Sequence, residues 1–220
     1  MSAGTVFITG GTGYLGRPLI EQLVAGGHSV HALTRPESQA RLPAGAVPVI
    51  GDALDAASFA TAIPPDATLV HLVGTPHPGP AKAAQFVSVD LASIRASTLA
   101  AVTARVKHIV YVSVAHPAPV MQAYIEARVQ GEELVRATGI AATLLRPWYV
   151  LGPGRYWPCL LMPFYALFRM LPATRAHALR LGLVTREAMV AALLGAVAAP
   201  PASGVRIVDV PAIRAKRVAR

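Results

Sequence analysis

The sequence predicts an α/β fold, a doubly wound, mostly parallel sheet with a small C-terminal cap. Three observations carry that reading. Short apolar runs alternate with stretches of helical periodicity. The runs are apolar at nearly every position rather than every second one, the pattern of strands covered on both faces. A glycine-rich loop joins the first run to the first helical stretch. Strands that alternate with helices form right-handed βαβ units, and hence a sheet with helices on both sides.

The elements follow in order along the 220 residues. Thr5–Ile8 is a β-rich run ending at Thr9-Gly10. Arg17–Ala25 has helical spacing, with Leu19, Ile20, Leu23 and Val24 on one side and Gly26-Gly27 as its stop. Ser29–Leu33 and Ala46–Ile50 read as the second and third strands, and Thr68–Val73 as the fourth. Phe86–Arg105 reads as a helix, His108–Val114 as a strand, Gln122–Thr138 as a helix and Ala142–Leu145 as a sixth strand. After Pro147 the rhythm breaks at the turn Gly152-Pro153-Gly154. Thr185 caps a helix running to about Ala199, and Val205–Val210 reads as a last strand. The expected division is a nucleotide-binding unit over 1–150, a short cap over 151–212 and a solvated basic tail over 213–220.

Composition narrows the function. The chain is 54% apolar and only 14% charged, against about a quarter charged in ordinary soluble domains. Its mean hydropathy is +0.49. No uninterrupted apolar run reaches the roughly 18 residues that a spanning helix needs, so the apolar content is expected in a core or a contact surface. A single cysteine excludes an internal disulfide framework. The absence of a leader-like start makes the cytoplasm the expected location, with the surface of a membrane as an alternative. The net charge of +9 is uneven. Residues 1–100 carry five Lys/Arg and six Asp/Glu, whereas 101–220 carry fifteen and five.

The loop between the first strand and helix reads Thr9-Gly10-Gly11-Thr12-Gly13-Tyr14-Leu15-Gly16, with glycines at 10, 13 and 16. Gly10 permits a tight turn out of the strand. Gly13 lets backbone approach a pyrophosphate, and Gly16 lets the helix pack on the strand. The helix N-terminus offers free N–H groups and partial positive charge to phosphates, with Thr12, Tyr14 and Leu15 in the same loop. Dinucleotide binding follows. The second strand ends in Thr34-Arg35 rather than in an acid. Arg35 suits a 2′-phosphate by paired charge-assisted hydrogen bonds, so NADP(H) is favoured over NAD(H).

These residues, with Gly51-Asp52-Ala53-Leu54-Asp55, Val106–Ser113 and Leu144-Leu145-Arg146-Pro147, resemble the short-chain dehydrogenase/reductase superfamily. The likeness is to its atypical and extended branches, the NAD-dependent epimerase/dehydratase and NAD(P)H-binding types, and covers roughly residues 3–155. It implies a Rossmann sheet. It also implies that Asp52, with Ala53 beside it, contacts adenine, although a turn residue is the alternative there. Val73 and Gly74, and Pro147 at the end of the sixth strand, would line the cofactor. The family's chemistry uses Ser, Tyr and Lys. Ser113 matches the serine that orients a carbonyl, and Tyr124 matches the proton donor or acceptor. Four residues on, Arg128 stands in place of the lysine that holds the nicotinamide ribose and lowers the Tyr pKa. The Asn of extended members is matched by Asp90, and the chain contains no Asn. A cation about 5 Å from Tyr124, at an effective dielectric of about 20, contributes roughly 3 kcal/mol. Arg128 could therefore still acidify Tyr124, but an arginine cannot relay a proton.

His71, inside the fourth strand, reads as a core residue. His77, beyond the carboxyl end of that strand, lies where open α/β sheets bind ligands, and it is a substrate candidate with Trp148 and Trp157. His116 has a similar placement. No pair has metal-ligand spacing, so no metal is expected. From Arg146 to Arg186 there are six Arg and no Asp or Glu, around the apolar stretch Trp157–Leu171. That stretch suits an apolar substrate pocket, an anionic membrane surface or a dimer interface, whereas nucleic acid lacks a basic–aromatic platform. The expected function is an NADP(H)-binding oxidoreductase or epimerase acting on an apolar carbonyl or hydroxyl compound. The alternative is a non-catalytic dinucleotide-binding sensor or assembly protein that presents residues 157–171 to a protein or membrane.

Overall fold

The computed structural model describes residues 3–154 and 180–216. Trp157, the stretch Trp157–Leu171 and residues 155–179 of the expected cap therefore lie outside the described residues. The sheet strands are β1 (Thr5–Thr9), β2 (Ser29–Thr34), β3 (Ala46–Ile50), β4 (Thr68–His71), β5 (His108–Val112) and β6 (Ala142–Leu145). After a short β7 (Tyr149–Leu151) and β8 (Leu183–Thr185) comes β9 (Val205–Val208). The main sheet has seven strands in the order β3-β2-β1-β4-β5-β6-β9. Every neighbouring pair is parallel. β7 and β8 form a separate parallel pair.

The main helices among the described residues are α1 (Gly16–Ala25), α2 (Pro80–Thr103), α3 (Gln122–Ala137), α4 (Arg186–Ala198) and α5 (Val210–Ala215). Successive strand residues point to opposite faces, and both faces are apolar. Phe7, Leu69, Ile109, Tyr111 and Leu144 join one core with Phe86 and Ile94 of α2 and Val135 of α3. Val6, Ile8, Val70 and Val110 join the other with Leu19, Ile20 and Leu23 of α1 and Met189 and Leu193 of α4. The continuous apolar strands of the sequence thus have helices on both sides.

Within α2 the residues Phe86–Leu91 form a π-helical turn, followed by regular helix over Ala92–Thr103. Such turns are rare and frequent at functional sites. By length and composition α2 would suit a membrane span, although Lys82, Asp90 and Arg95 interrupt it. Just over half of its most apolar window, 56%, is buried, as for a helix on a sheet.

The structure corrects three expectations. β3 is an edge strand with Val47 and Ile50 exposed; Pro48 inside the run is the residue that confines a strand to an edge. The fourth and fifth strands stop at His71 and Val112 rather than Val73 and Val114. The last strand stops at Val208, because the Asp209 side chain accepts the Ala212 N–H and starts α5, with Pro211 in its first turn. The expected solvated tail from 213 therefore begins inside a helix, and Ile213 is fully buried in the α1–α4 core.

Candidate active site

The strand order reverses between β1 and β4. A crevice at the carboxyl ends of strands forms at such a switch point. Gly10 turns out of β1 with φ +78°, and a Cβ there would meet the Leu72 carbonyl carbon at 2.9 Å and Val73 N at 3.0 Å. Gly13 N donates to Gly10 O at 3.0 Å. Gly16 rests on the carbonyls of Gly10 and Gly11, with no room for a side chain. α1 starts at Gly16 without a side-chain cap. Arg17 N donates to Gly13 O at 3.2 Å and Pro18 carries no N–H, so an anion would meet the N–H groups of the loop–helix junction ahead of Arg17. This glycine cradle before an uncapped helix fits a dinucleotide pyrophosphate.

A cleft of about 380 Å³ opens beside the loop. Gly10, Gly13, Tyr14, Leu15 and Gly16 of the loop line it. So do Gly74–Pro78, Ser113, Val114, Met121, Tyr124 and Arg128, with Pro147–Val150. Tyr14 also packs against Gly152 and beneath the Arg186 guanidinium, 5.4 Å from its ring centroid.

Three of the predicted residues meet around a buried ion pair. Tyr124 is half-buried near the start of α3, edge-on to Phe86 at 5.0 Å. One turn on, the Arg128 guanidinium lies over the Tyr124 ring at 5.2 Å and near the Tyr111 ring at 5.8 Å. Its Nη2 donates to Asp90 Oδ1 at 2.6 Å, and its Nη1 donates to the Val112 carbonyl at 2.9 Å. Asp90 is fully buried, and Oδ2 accepts from Thr75 N at 2.9 Å and Thr75 Oγ1 at 2.6 Å. Gly74 has no side chain where Arg128 Nη2 and Asp90 Oδ1 meet. Burial works against the Arg128 charge, but Tyr124, Tyr111 and Asp90 outweigh it and hold the guanidinium above its usual pKa. The Tyr111 hydroxyl is pushed up to about 12 by burial, with Arg128 opposing. Gly131 leaves it room, since a Cβ there would stand 2.5 Å from the Tyr111 oxygen.

Asp90 and Arg128 stand together, so the two departures from the resembled pattern compensate. Opposite Tyr124 there is an ion pair, not a lone cation. A pair acts at a distance as a dipole, with a weaker field than a lone unit charge.

Ser113 lines the same cleft, but its Oγ is buried beside the Glu132 carboxylate without full hydrogen-bond geometry to any described residue. Burial alone would raise the Glu132 carboxyl. Arg146, Ser113 and Arg136 overcome that and hold it below the usual carboxylate range. Arg146 bonds it through Nε at 2.8 Å and Nη2 at 2.5 Å, and Arg136 through Nη1 at 3.1 Å. His116 Nε2 faces it at 3.6 Å. His116 thus turns to Glu132, not to the cleft. His71 is a core residue, its Nδ1 between Thr9 Oγ1 and Ser97 Oγ at 2.9 Å each.

His77 lines the cleft on an exposed loop, with φ +49° in the left-handed region. Trp148 and Pro147 also line it. Thr12 and Val73 belong to the flanking loops rather than to the cleft wall. Arg35 stands at the end of β2, 70% exposed and paired with Glu37 at 3.1 Å. Asp52 accepts the Leu54 N–H at 2.9 Å in a turn, with Ala53 between them. None of these three is among the residues that line the cleft. Sequence reasoning did not find the partnership of Asp90 with Thr75, nor Met121 and Tyr149 in the cleft. Only the ordering of β4, α2 and α3 brings those positions together.

Residues 10–154 match a family described as NAD(P)H-binding. A Stigmatella aurantiaca relative, a 4-hydroxy-2-methyl-3-oxo-4-farnesyl-3,4-dihydroquinoline-1-oxide ketoreductase, is 29% identical over 168 residues, 66% of this chain and 50% of that protein. The chain thus spans about half the length of the curated relative that it matches. Among solved structures, a short-chain dehydrogenase/reductase superfamily protein from Agrobacterium tumefaciens with bound NAD superposes with a TM-score of 0.67 at 20% identity, covering 92% of this chain and 76% of that one. The Bordetella bronchiseptica enzyme WbmG in complex with NAD gives 0.67 at 21%, covering 94% and 73%. At these identities the likeness is one of fold.

Proposed function

The chain belongs to the NAD(P)H-binding family, and on that premise we propose that it is an oxidoreductase or epimerase working on the carbonyl or carbinol carbon of an uncharged, apolar compound. One observation carries the reading. The cleft that the phosphate cradle lines also holds Tyr124, backed by a buried arginine that is ion-paired with Asp90. The ketoreductase activity in the name of the Stigmatella relative agrees with it.

A reduced nicotinamide cofactor, held by the Gly10, Gly13 and Gly16 cradle, would supply the hydride for the carbonyl carbon. Tyr124 Oη donates its proton to the carbonyl oxygen as charge develops there, and water returns the proton to the tyrosinate. Arg128 fixes the tyrosine ring by lying across its face, itself held by Asp90 and the Val112 carbonyl. Ser113 supports the wall and the Glu132 carboxylate, and its buried hydroxyl would have to turn to reach a substrate. The rest of the wall is Pro76, Pro78, Val114, Met121, Trp148 and Val150, and no carboxylate lines the cleft among the described residues. That wall suits an apolar substrate, with His77 among its exposed residues.

NADP(H) is the preferred cofactor in this reading. The exposed Arg35–Glu37 pair is weak, so a 2′-phosphate can replace Glu37 as the partner of Arg35 with stronger charge-assisted bonds. The test is oxidation of NADPH and NADH against a panel of uncharged ketones, with cofactor affinity measured in parallel. Tight cofactor binding without turnover across the panel would overturn the oxidoreductase reading.

A further inference from the structure

Two side chains of α2 hold the loop that rims the cleft. Asp90 accepts both the N–H and the hydroxyl of Thr75, and Lys82 Nζ donates to the Pro76 carbonyl at 2.5 Å. The next residue, His77, keeps a left-handed backbone that non-glycine residues rarely adopt. All of Thr75–Pro78 faces the cleft. The other oxygen of Asp90 takes Arg128, which spans from there to the end of β5 and across the face of Tyr124. One buried carboxylate therefore joins the substrate-side loop to the residue that orients the tyrosine. None of its contacts reaches the phosphate cradle.

We propose that Asp90 is a positioning residue that sets the Thr75–Pro78 loop and the Arg128 guanidinium as one rigid unit, so that substrate recognition depends on it and cofactor binding does not. The π-helical turn Phe86–Leu91 is part of the device, since Asp90 projects from that turn. A buried carboxylate with three short bonds is satisfied only in this arrangement, and loss of one partner leaves the opposite charge buried and unpaired. The proposal rests on the reductase reading for its kinetic arm alone.

The test compares Asp90→Asn and Thr75→Val with the unaltered chain. Asparagine can still accept from Thr75 but turns an amide toward Arg128, whereas valine removes one hydroxyl bond. The expected result for Asp90→Asn is a KM for the ketone raised about tenfold with kcat changed much less, which is the signature of lost uniform binding. NADP(H) affinity stays within about twofold. Amide hydrogen exchange at Thr75 and His77 quickens about tenfold, without change in the glycine loop. Thr75→Val moves the same quantities less, and it decides the matter if Asp90→Asn does not fold. The double variant Asp90→Asn/Arg128→Gln, an uncharged pair, recovers loop protection. Unchanged KM and unchanged loop exchange would overturn the proposal, as would an equal loss of cofactor affinity. If the unaltered chain binds cofactor but reduces no ketone, the reductase reading fails, and the exchange measurements alone decide the role of Asp90.

Discussion

Gly74 and Arg128 lie so close that a methyl group on Gly74 would overlap the guanidinium. The glycine is required by an ion pair below it, not by its own backbone, since its φ lies outside the left-handed region. Gly74→Ala forces Arg128 and Asp90 apart or shifts the loop, at a cost of about 1–3 kcal/mol. Chemical denaturation reads this loss. Unchanged stability would show that the pair can relax.

Removal of the Tyr124 hydroxyl separates chemistry from packing, because the ring contacts with Phe86 and Arg128 do not involve the oxygen. Tyr124→Phe is expected to keep cofactor affinity and to lower kcat by about 10²- to 10⁴-fold, the range for a general acid. Turnover at the original rate would exclude Tyr124 as the proton donor.

Arg35 discriminates cofactors if it holds a 2′-phosphate. Arg35→Ala should weaken NADPH binding about tenfold or more, the value of a lost charge-assisted bond. NADH binding should not change. Fluorescence titration gives both numbers, and an equal effect on both cofactors would leave Arg35 without this role.

Acid sensitivity has a named source. His71 titrates at about 3, because burial first and Arg128 second disfavour its cation. His108 titrates at about 4, from burial and then Arg206 and Lys107. Unfolded histidines titrate near 6.5, so between those values the unfolded chain binds protons that the folded chain refuses. Stability is complete above about pH 6.5 and falls as pH drops, by up to about 1.4 kcal/mol per pH unit for each histidine. The His108 contribution ends near pH 4 and the His71 contribution near pH 3. Urea midpoints at pH 7, 5.5 and 4.5 measure the slope, and a flat profile would contradict it.

The parallel sheet and the phosphate loop were legible because their signals are local. A strand, three glycines and a helix stand within about twenty residues, and each obeys its own short-range rule. The Tyr124–Arg128 pair was legible for the same reason, as neighbours on one helix face. Asp90 and Arg128 are 38 positions apart. Their pairing depends on a π turn that no spacing announces, so the sequence displays two anomalies where the structure has one ion pair. Asp209 and Pro211 did carry a usable signal, a capping acid followed by proline in the first turn. The apolar run before them masked it. The edge placement of β3 was signalled by Pro48 alone.

The first helix and the last long helix share one core. Leu19, Ile20 and Leu23 of α1 are covered by Met189, Leu193 and Val197 of α4. A ribosome delivers the phosphate loop and its helix early, and their cover only after nearly two hundred residues have been joined. Until then the apolar flank of α1 is open on the nascent chain, and the cradle before it rests on an unfinished support. A stop codon or proteolytic cut before α4 would therefore disable the amino-terminal loop while leaving every residue of that loop intact.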